Sequence, residues 1–300
     1  MSDKRPDWLE VRRGEAPLVV SIPHGGVDLG EYESRFVSPW LARKDADWRL
    51  DELYDFVEPL GATLVRTHLS RSIIDVNRDP SGASLYPGRT TTELCPTTTF
   101  DGEPLYRPGE APGAAGIAKR RRAFFDPYHG ALGAEIARLR KRHSRVALFD
   151  AHSIRSRIPR LFDGELPVFN LGTNGGSSCS PKLREALGAA IAASGQSFVV
   201  DGRFRGGWIT RCYGKPGEGI EAIQLELACR GYMLEPDFPS PANWPQPIDD
   251  GRAARTRATL RRVLETILSS LRAQRSNPEP PASDAGLLRR CAPRNDGSSQ

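Results

Sequence analysis

Pro17-Leu18-Val19-Val20-Ser21-Ile22-Pro23-His24-Gly25-Gly26 is an apolar, β-branched run that stops at a proline, a histidine and two glycines. Val146-Ala147-Leu148-Phe149-Asp150-Ala151-His152-Ser153 has the same shape, an apolar run that ends on a histidine. Short continuous apolar runs bounded by turn residues read as buried strands of a parallel sheet. In an open α/β sheet, the groups beyond the carboxyl ends of such strands line the ligand crevice. The chain has only five histidines in 300 residues. Two of them are therefore expected at one crevice, which suggests a metal site.

The pattern outward from these runs alternates. Asp45 to Val57 carries Trp48, Leu50, Leu53, Tyr54 and Val57 at helical spacing, and Ala62 to Thr67 reads as the next strand. Ser72 to Arg78 is another short apolar stretch with strand character. Residues 79–112 are rich in Pro, Gly and Thr without a periodic run, and a loop of that length is usually a lid or a substrate wall. Gly116 to Arg142 reads as one amphipathic helix interrupted near Pro127. Strands are expected at Val146–Asp150, Pro167–Gly172, Ser197–Asp201 and Glu221–Leu227, and helices at Ser180–Ser194 and Arg252–Arg272. Such alternation predicts an α/β fold, a three-layer arrangement of a mainly parallel sheet with helices on both faces. The expected organisation is one hydrolase domain over residues 1–272 and a disordered polar tail over 273–300.

Composition narrows the class. Hydrophobic residues make up 38% and charged residues 26% of the chain, ordinary for a soluble globular protein. No run approaches the roughly 18 apolar residues of a membrane span, and no secretory signal is expected behind Met1-Ser2-Asp3-Lys4-Arg5. Five cysteines without CxxC spacing argue against a disulfide framework, so reduced thiols and a cytoplasmic setting are the expectation. The net charge of +5 raises nucleic acid as a partner. The basic residues are nonetheless spread out, and their densest cluster, Lys119 to Arg122, reads as a solvated helix face. A small-molecule substrate is expected instead.

Four groups of residues carry the candidate chemistry. A metal that activates water takes about three protein ligands, typically imidazoles and a carboxylate for zinc. His24 and His152 supply two. Val27 stands where a His-x-x-Glu motif would need its glutamate, so the carboxylate comes from elsewhere: Asp47 first, with Asp45 and Asp51 as rivals. The second group is Ser70 to Arg78, where Arg71 and Arg78 offer carboxylate-matching forks, Asn77 lies beside them, and Asp75 could hold one guanidinium. The third is Glu226, a carboxylate inside the apolar run Gln224-Leu225-Glu226-Leu227 and hence a candidate general base. The fourth is Gly206 to Gly214, a glycine-bearing loop whose Thr210 and Arg211 suit contacts with an anion. His129 is a candidate supporting group.

Ser-Ile-Pro-His24-Gly-Gly, Asp45-Ala-Asp-Trp, Ser70-Arg-Ser-Ile-Ile-Asp-Val-Asn-Arg78, Leu85-Tyr-Pro-Gly, Leu94-Cys-Pro-Thr-Thr, Asp150-Ala-His-Ser and Asn170-Leu-Gly-Thr together resemble the N-formylglutamate amidohydrolases, in the right order from about Pro17 to Tyr232. The resemblance implies a phosphorylase/hydrolase-like fold related to zinc carboxypeptidases. It also implies hydrolysis of N-formyl-L-glutamate to formate and L-glutamate, a late step of histidine degradation. By role, His24 and His152 would be ligands of Zn2+ or another divalent metal, Glu226 the base, and Arg71 and Arg78 the carboxylate binders. Hydrolysis of another N-acyl amino acid, a carboxypeptidase-like peptidase, and a non-catalytic binding protein are the alternatives.

Overall fold

In the computed structural model, which describes residues 6–85, 88 and 91–273, the two histidine-bearing runs are adjacent strands inside one sheet. The strands are β1 (Leu9–Arg12), β2 (Leu18–Ile22), β3 (Thr63–Thr67), β4 (Val146–Ile154), β5 (Phe169–Gly172), β6 (Phe198–Val200) and β7 (Ile220–Ala228). They form a seven-stranded sheet in the order β1-β3-β2-β4-β7-β5-β6. Four of its six pairings are parallel; β1 with β3 and β5 with β7 are antiparallel. The antiparallel members escape a reading that sees only apolar runs, because strand direction is set by the connections.

The helices are α1 (Leu41–Lys44), α2 (Leu50–Leu53), α3 (Ala114–Arg120), α4 (Asp126–Arg140), α5 (Pro181–Ala192), α6 (Trp208–Tyr213) and α7 (Asp250–Ala273). One face of the sheet packs Phe149, Ile223 and Leu225 against α2, α5 and α7. The other packs Val65, Leu148 and Ala222 against α4 and α6. Each fully buried Leu, Ile or Phe in these layers contributes about 1.5–3 kcal/mol relative to exposure. Side chains alternate across a strand. With Ala147, Phe149 and Ala151 on the α5/α7 face, Asp150 and His152 fall on the α4/α6 face. On β7, Gln224 and Glu226 fall on that same face for the same reason. The register pairs Asp150 with Gln224 and His152 with Glu226.

Several expectations are corrected. Asp45–Val57 is not one helix: Arg49 takes a left-handed φ of 63°, and Asp47 N–H donates to His24 O at 2.9 Å, so only Leu50–Leu53 is helical. Ser72–Arg78 is a buried irregular segment rather than a strand. β4 runs on to Ile154, which puts His152 within the strand. The helix interruption near Pro127 is a π-helical turn over Arg121–Phe125, closed by Asp126 N–H donating to Arg121 O. Proline has no N–H to give, and the wider turn accommodates its missing bond. In the basic cluster Arg120 is buried and Lys119 pairs with Glu31 at 3.2 Å. Cys95, Cys179 and Cys229 are buried free thiols. Ala273 closes α7; the remainder of the expected polar tail lies outside the described residues.

Candidate active site

His24 stands two residues past the end of β2, and His152 lies near the end of β4. Their Nδ1 atoms are 3.2 Å apart. Asp47 Oδ2 lies 3.1 Å from His152 Nδ1 and 3.7 Å from His24 Nδ1. All three residues are buried. A tetrahedral cation with bonds near 2.0–2.1 Å separates its ligands by about 3.3 Å, so this triangle has the size of one face of a zinc polyhedron. Each imidazole turns its other nitrogen to a buried carboxylate: His24 Nε2 to Asp75 Oδ1 at 2.7 Å, His152 Nε2 to Asp150 Oδ2 at 2.8 Å. Those contacts fix the orientation of both rings and aim the two Nδ1 atoms at the same point, the arrangement that orients metal-binding histidines. Asp47 therefore joins the histidines. Asp45 instead accepts from Phe100 N–H at 2.6 Å, and Asp51 is more than half exposed beside Arg66.

Charge in the cluster is strongly biased. Burial alone would raise the pKa of Asp47, but hydrogen bonds from His152 and His24 outweigh it and hold the carboxyl below its usual range. Burial likewise opposes ionisation of Asp75, and Arg78, His24 and Arg71 overcome it. Burial would lower the pKa of His152, whereas Asp150 and Asp47 raise it well above an ordinary imidazole. Buried carboxylates around two imidazoles form a basin that favours positive charge.

The segment Arg71–Arg78 feeds the cluster from the side. Arg71 donates to Asp75 Oδ2 at 2.7 Å and lies 3.5 Å from Asp47 Oδ1. Asn77 Nδ2 donates to Asp150 at 3.0 Å, while its Oδ1 accepts from Ile209 N–H at the start of α6 (2.8 Å). Gly207 must be glycine here, because a Cβ would sit 2.5 Å from the Asn77 amide. Arg78 donates to the Thr92 carbonyl at 3.1 Å and hydroxyl at 2.9 Å. A buried irregular segment leaves backbone carbonyls that need partners. Tyr106 supplies one for Ser72 O (3.0 Å), Arg120 one for Ile73 O (2.9 Å), and His129 Nε2 one for Val76 O (2.8 Å).

Above the cluster is a cavity whose polar lining includes His24, Arg71, Asn77, Arg78, His152, Arg203, Gln224 and Glu226. Phe100, Ile154, Leu161 and Phe204 give it apolar wall. Burial pushes the pKa of Glu226 up to about 7; His152 and Arg71 act against the rise and Asp47 adds to it. A carboxyl poised there is suited to take and return a proton. Of the residues singled out from sequence, the structure gathers His24, Asp47, Arg71, Asn77, Arg78, His152 and Glu226. Thr210 and Arg211 stand apart on α6, with Arg211 Nε donating to Gly206 O at 3.0 Å, and neither borders the cavity. Sequence reading passed over Asp150 as a support for His152, although its i, i+2 spacing on a strand was the available signal. It also passed over Gln224 and Arg203.

The model of the N-formylglutamate amidohydrolase family matches residues 16–233. The chain is 44% identical over 263 residues to the N-formylglutamate deformylase of Pseudomonas aeruginosa, covering 87% of this chain and 96% of that protein. It is 43% identical, with the same coverage, to the N-formylglutamate deformylase of Pseudomonas putida. Among solved structures it is similar to an N-formylglutamate amidohydrolase from Ralstonia eutropha JMP134, with a TM-score of 0.70, 24% identity, and coverage of 88% of this chain and 98% of that one. A gene product of Agrobacterium tumefaciens aligns with a TM-score of 0.64 at 17% identity, over 88% of this chain and 94% of that one. At such identities the structural likeness speaks for the fold alone. The sequence matches span His24, Asp47, the Arg71–Arg78 segment, His152 and Glu226, and by them the chain belongs to the N-formylglutamate amidohydrolase family.

Proposed function

We propose that this chain hydrolyses the formamide bond of N-formyl-L-glutamate, yielding formate and L-glutamate, with one divalent metal, zinc in the first instance, held by His24, Asp47 and His152. The observation that carries the reading is the triangle of Nδ1, Nδ1 and carboxylate oxygen, with edges of 3.1 to 3.7 Å, in a cavity that Glu226 also lines. A divalent cation on such a donor set supplies Lewis acidity, polarising an amide carbonyl and acidifying water. Glu226 takes the proton of the attacking water and delivers it to the departing amine nitrogen, so one carboxylate serves as base and then as acid. Arg71, pinned between Asp75 and Asp47, places a fixed positive charge beside the oxygen that becomes negative. Asn77 and Arg78 hold the α-carboxylate. Thr91, Thr92 and Phe100, from the described part of the 79–112 segment, act as a substrate wall, and the first 272 residues work as one hydrolase domain. Thr210 and Arg211 have no part in this reading.

A late step of histidine degradation in the cytoplasm is the setting that fits this chemistry. Among the described residues no helix is long and apolar enough to cross a membrane. The test is formate release from N-formyl-L-glutamate by the purified chain, before and after chelation and after Zn2+ is restored. Loss and recovery of turnover are expected, with one metal bound per chain. Full activity in the metal-stripped protein would remove the metal, and turnover of N-acetyl-L-glutamate equal to that of the formyl compound would remove the acyl specificity.

A further inference from the structure

Arg71 is held at two points by carboxylates, 2.7 Å from Asp75 through one terminal nitrogen and 3.5 Å from Asp47 through the other. Two such bonds leave the guanidinium free to rock about the line that joins them. Its flat face is met by Phe100: the guanidinium carbon lies 4.9 Å from the centre of that ring, within the roughly 6 Å reach of a cation over an aromatic face. Both residues are buried and both line the cavity.

The ring is held by an unusual amount of charge. Phe100 stands in a turn closed by Thr99 N–H to Glu103 O at 2.9 Å and Gly102 N–H to Thr99 O at 3.0 Å. Its own N–H donates to Asp45 Oδ2 at 2.6 Å. The next residue, Asp101, pairs with Arg155, just past β4, at 2.7 Å and with Lys44 of α1 at 2.6 Å. Arg155 lies 3.5 Å from Asp45 as well. Lys44 and Arg155 are both buried. Behind the ring, Ile154, Ile158, Leu166 and Ala228 form an apolar seat. Buried ion pairs add little stability for their desolvation cost. What these pairs fix is the place of one ring over one guanidinium.

We infer that Phe100 is a positioning residue for the reaction: its ring sets the plane of the Arg71 guanidinium, and Asp45, Arg155 and Lys44 hold the ring. This role rests on the task proposed above for Arg71. A guanidinium has five donors, and the plane decides where those not used on Asp75 and Asp47 point within the cavity. The two carboxylates of Asp45-Ala46-Asp47 thus have different tasks, Asp47 beside the histidines and Asp45 on the turn that covers Arg71.

The experiment measures kcat and KM for N-formyl-L-glutamate at saturating metal, per metal-loaded chain. The proteins are the native chain, Phe100→Leu, Phe100→Tyr, Arg71→Met and the double variant Phe100→Leu with Arg71→Met. Leucine keeps an apolar seat but offers no aromatic face, so kcat should fall about 3–30-fold, the scale of a desolvated cation–aromatic contact. Phe100→Tyr restores the face and should recover most of the loss. Arg71→Met should lower kcat about 10²-fold. In that background Phe100→Leu should change kcat less than about 2-fold, because no guanidinium is left to orient. A ring that serves only as packing or as wall would cost the same factor in both backgrounds. Equal factors, an effect of Phe100→Leu confined to KM, or a Phe100→Tyr as slow as Phe100→Leu would overturn the positioning role and leave the proposed reaction standing. Native kcat in Arg71→Met would overturn the task of Arg71 and this role with it, and a native chain that releases no formate would overturn the reaction itself.

Discussion

His24 and His152 reach the same point by different routes. His152 is held by its own strand: Asp150, two residues earlier and on the same face of β4, accepts from its Nε2. His24 lies past the end of β2, and its carboxylate, Asp75, comes from a segment with no regular structure. That segment is kept in place by buried side chains from elsewhere, namely Tyr106, Arg120 and His129. One half of the cluster is built from strand periodicity and the other from tertiary contacts. The second half holds more of the polar network, since Asp75 also accepts from Arg71 and from Asn77 N–H.

The largest effect should come from the β4–β7 side, where Glu226 pairs with His152 in the sheet. If that side supplies chemistry as well as a ligand, Glu226→Gln keeps the shape but cannot take a proton. The variant should bind its metal normally while kcat falls roughly 10²–10⁴-fold, the range for a removed general base. Near-native turnover would show that this side only holds the metal. Loss of the metal would instead make Glu226 a ligand.

A direct contrast of the halves is Asp150→Asn against Asp75→Asn. Replacing the partner of a metal-binding histidine typically costs 10–100-fold in metal affinity or activity, and both variants should fall in that range by metal titration. At saturating metal, only Asp75→Asn should also lower kcat, because it releases Arg71, the cation beside the oxygen that becomes negative, from its 2.7 Å contact. If the two variants have the same kcat there, the two supports are equivalent and the contrast fails.

The same contrast explains what was legible in the sequence. Continuous apolar runs revealed β2, β4 and β7, and with them His24, His152 and Glu226 as candidates, because that signal lies within one short stretch of chain. Asp47 emerged only as one of three candidates. Its selection over Asp45 and Asp51 depends on the left-handed turn at Arg49 and the bond to His24 O, which no spacing rule contains. Thr210 and Arg211 do not border the cavity, since a glycine pattern does not fix which way a loop faces; Arg211 N–H donates to Gly207 O at 3.2 Å.

The smallest effect concerns the far end of the His24 support. His129 is buried between Phe125 and Tyr213, and burial lowers its pKa to about 4, with the bond to Val76 O acting against the shift. The native state thus keeps His129 neutral, while in the unfolded chain it takes a proton below about pH 6.5. Between pH 6.5 and 4 the unfolded state binds the extra proton, so stability falls as pH drops through that window, and above it the contribution is complete. His129→Gln keeps a donor for Val76 O but does not titrate. Urea midpoints measured from pH 4.5 to 7 should therefore fall less steeply in the variant, by up to about one proton, or ~1.4 kcal/mol per pH unit. Metal affinity at pH 7 should change only slightly, because the imidazole is neutral there and the carbonyl keeps its partner. Parallel pH profiles for the two proteins would mean that His129 is protonated in the native state, and that the His24 half carries a buried charge where this structure places a neutral ring.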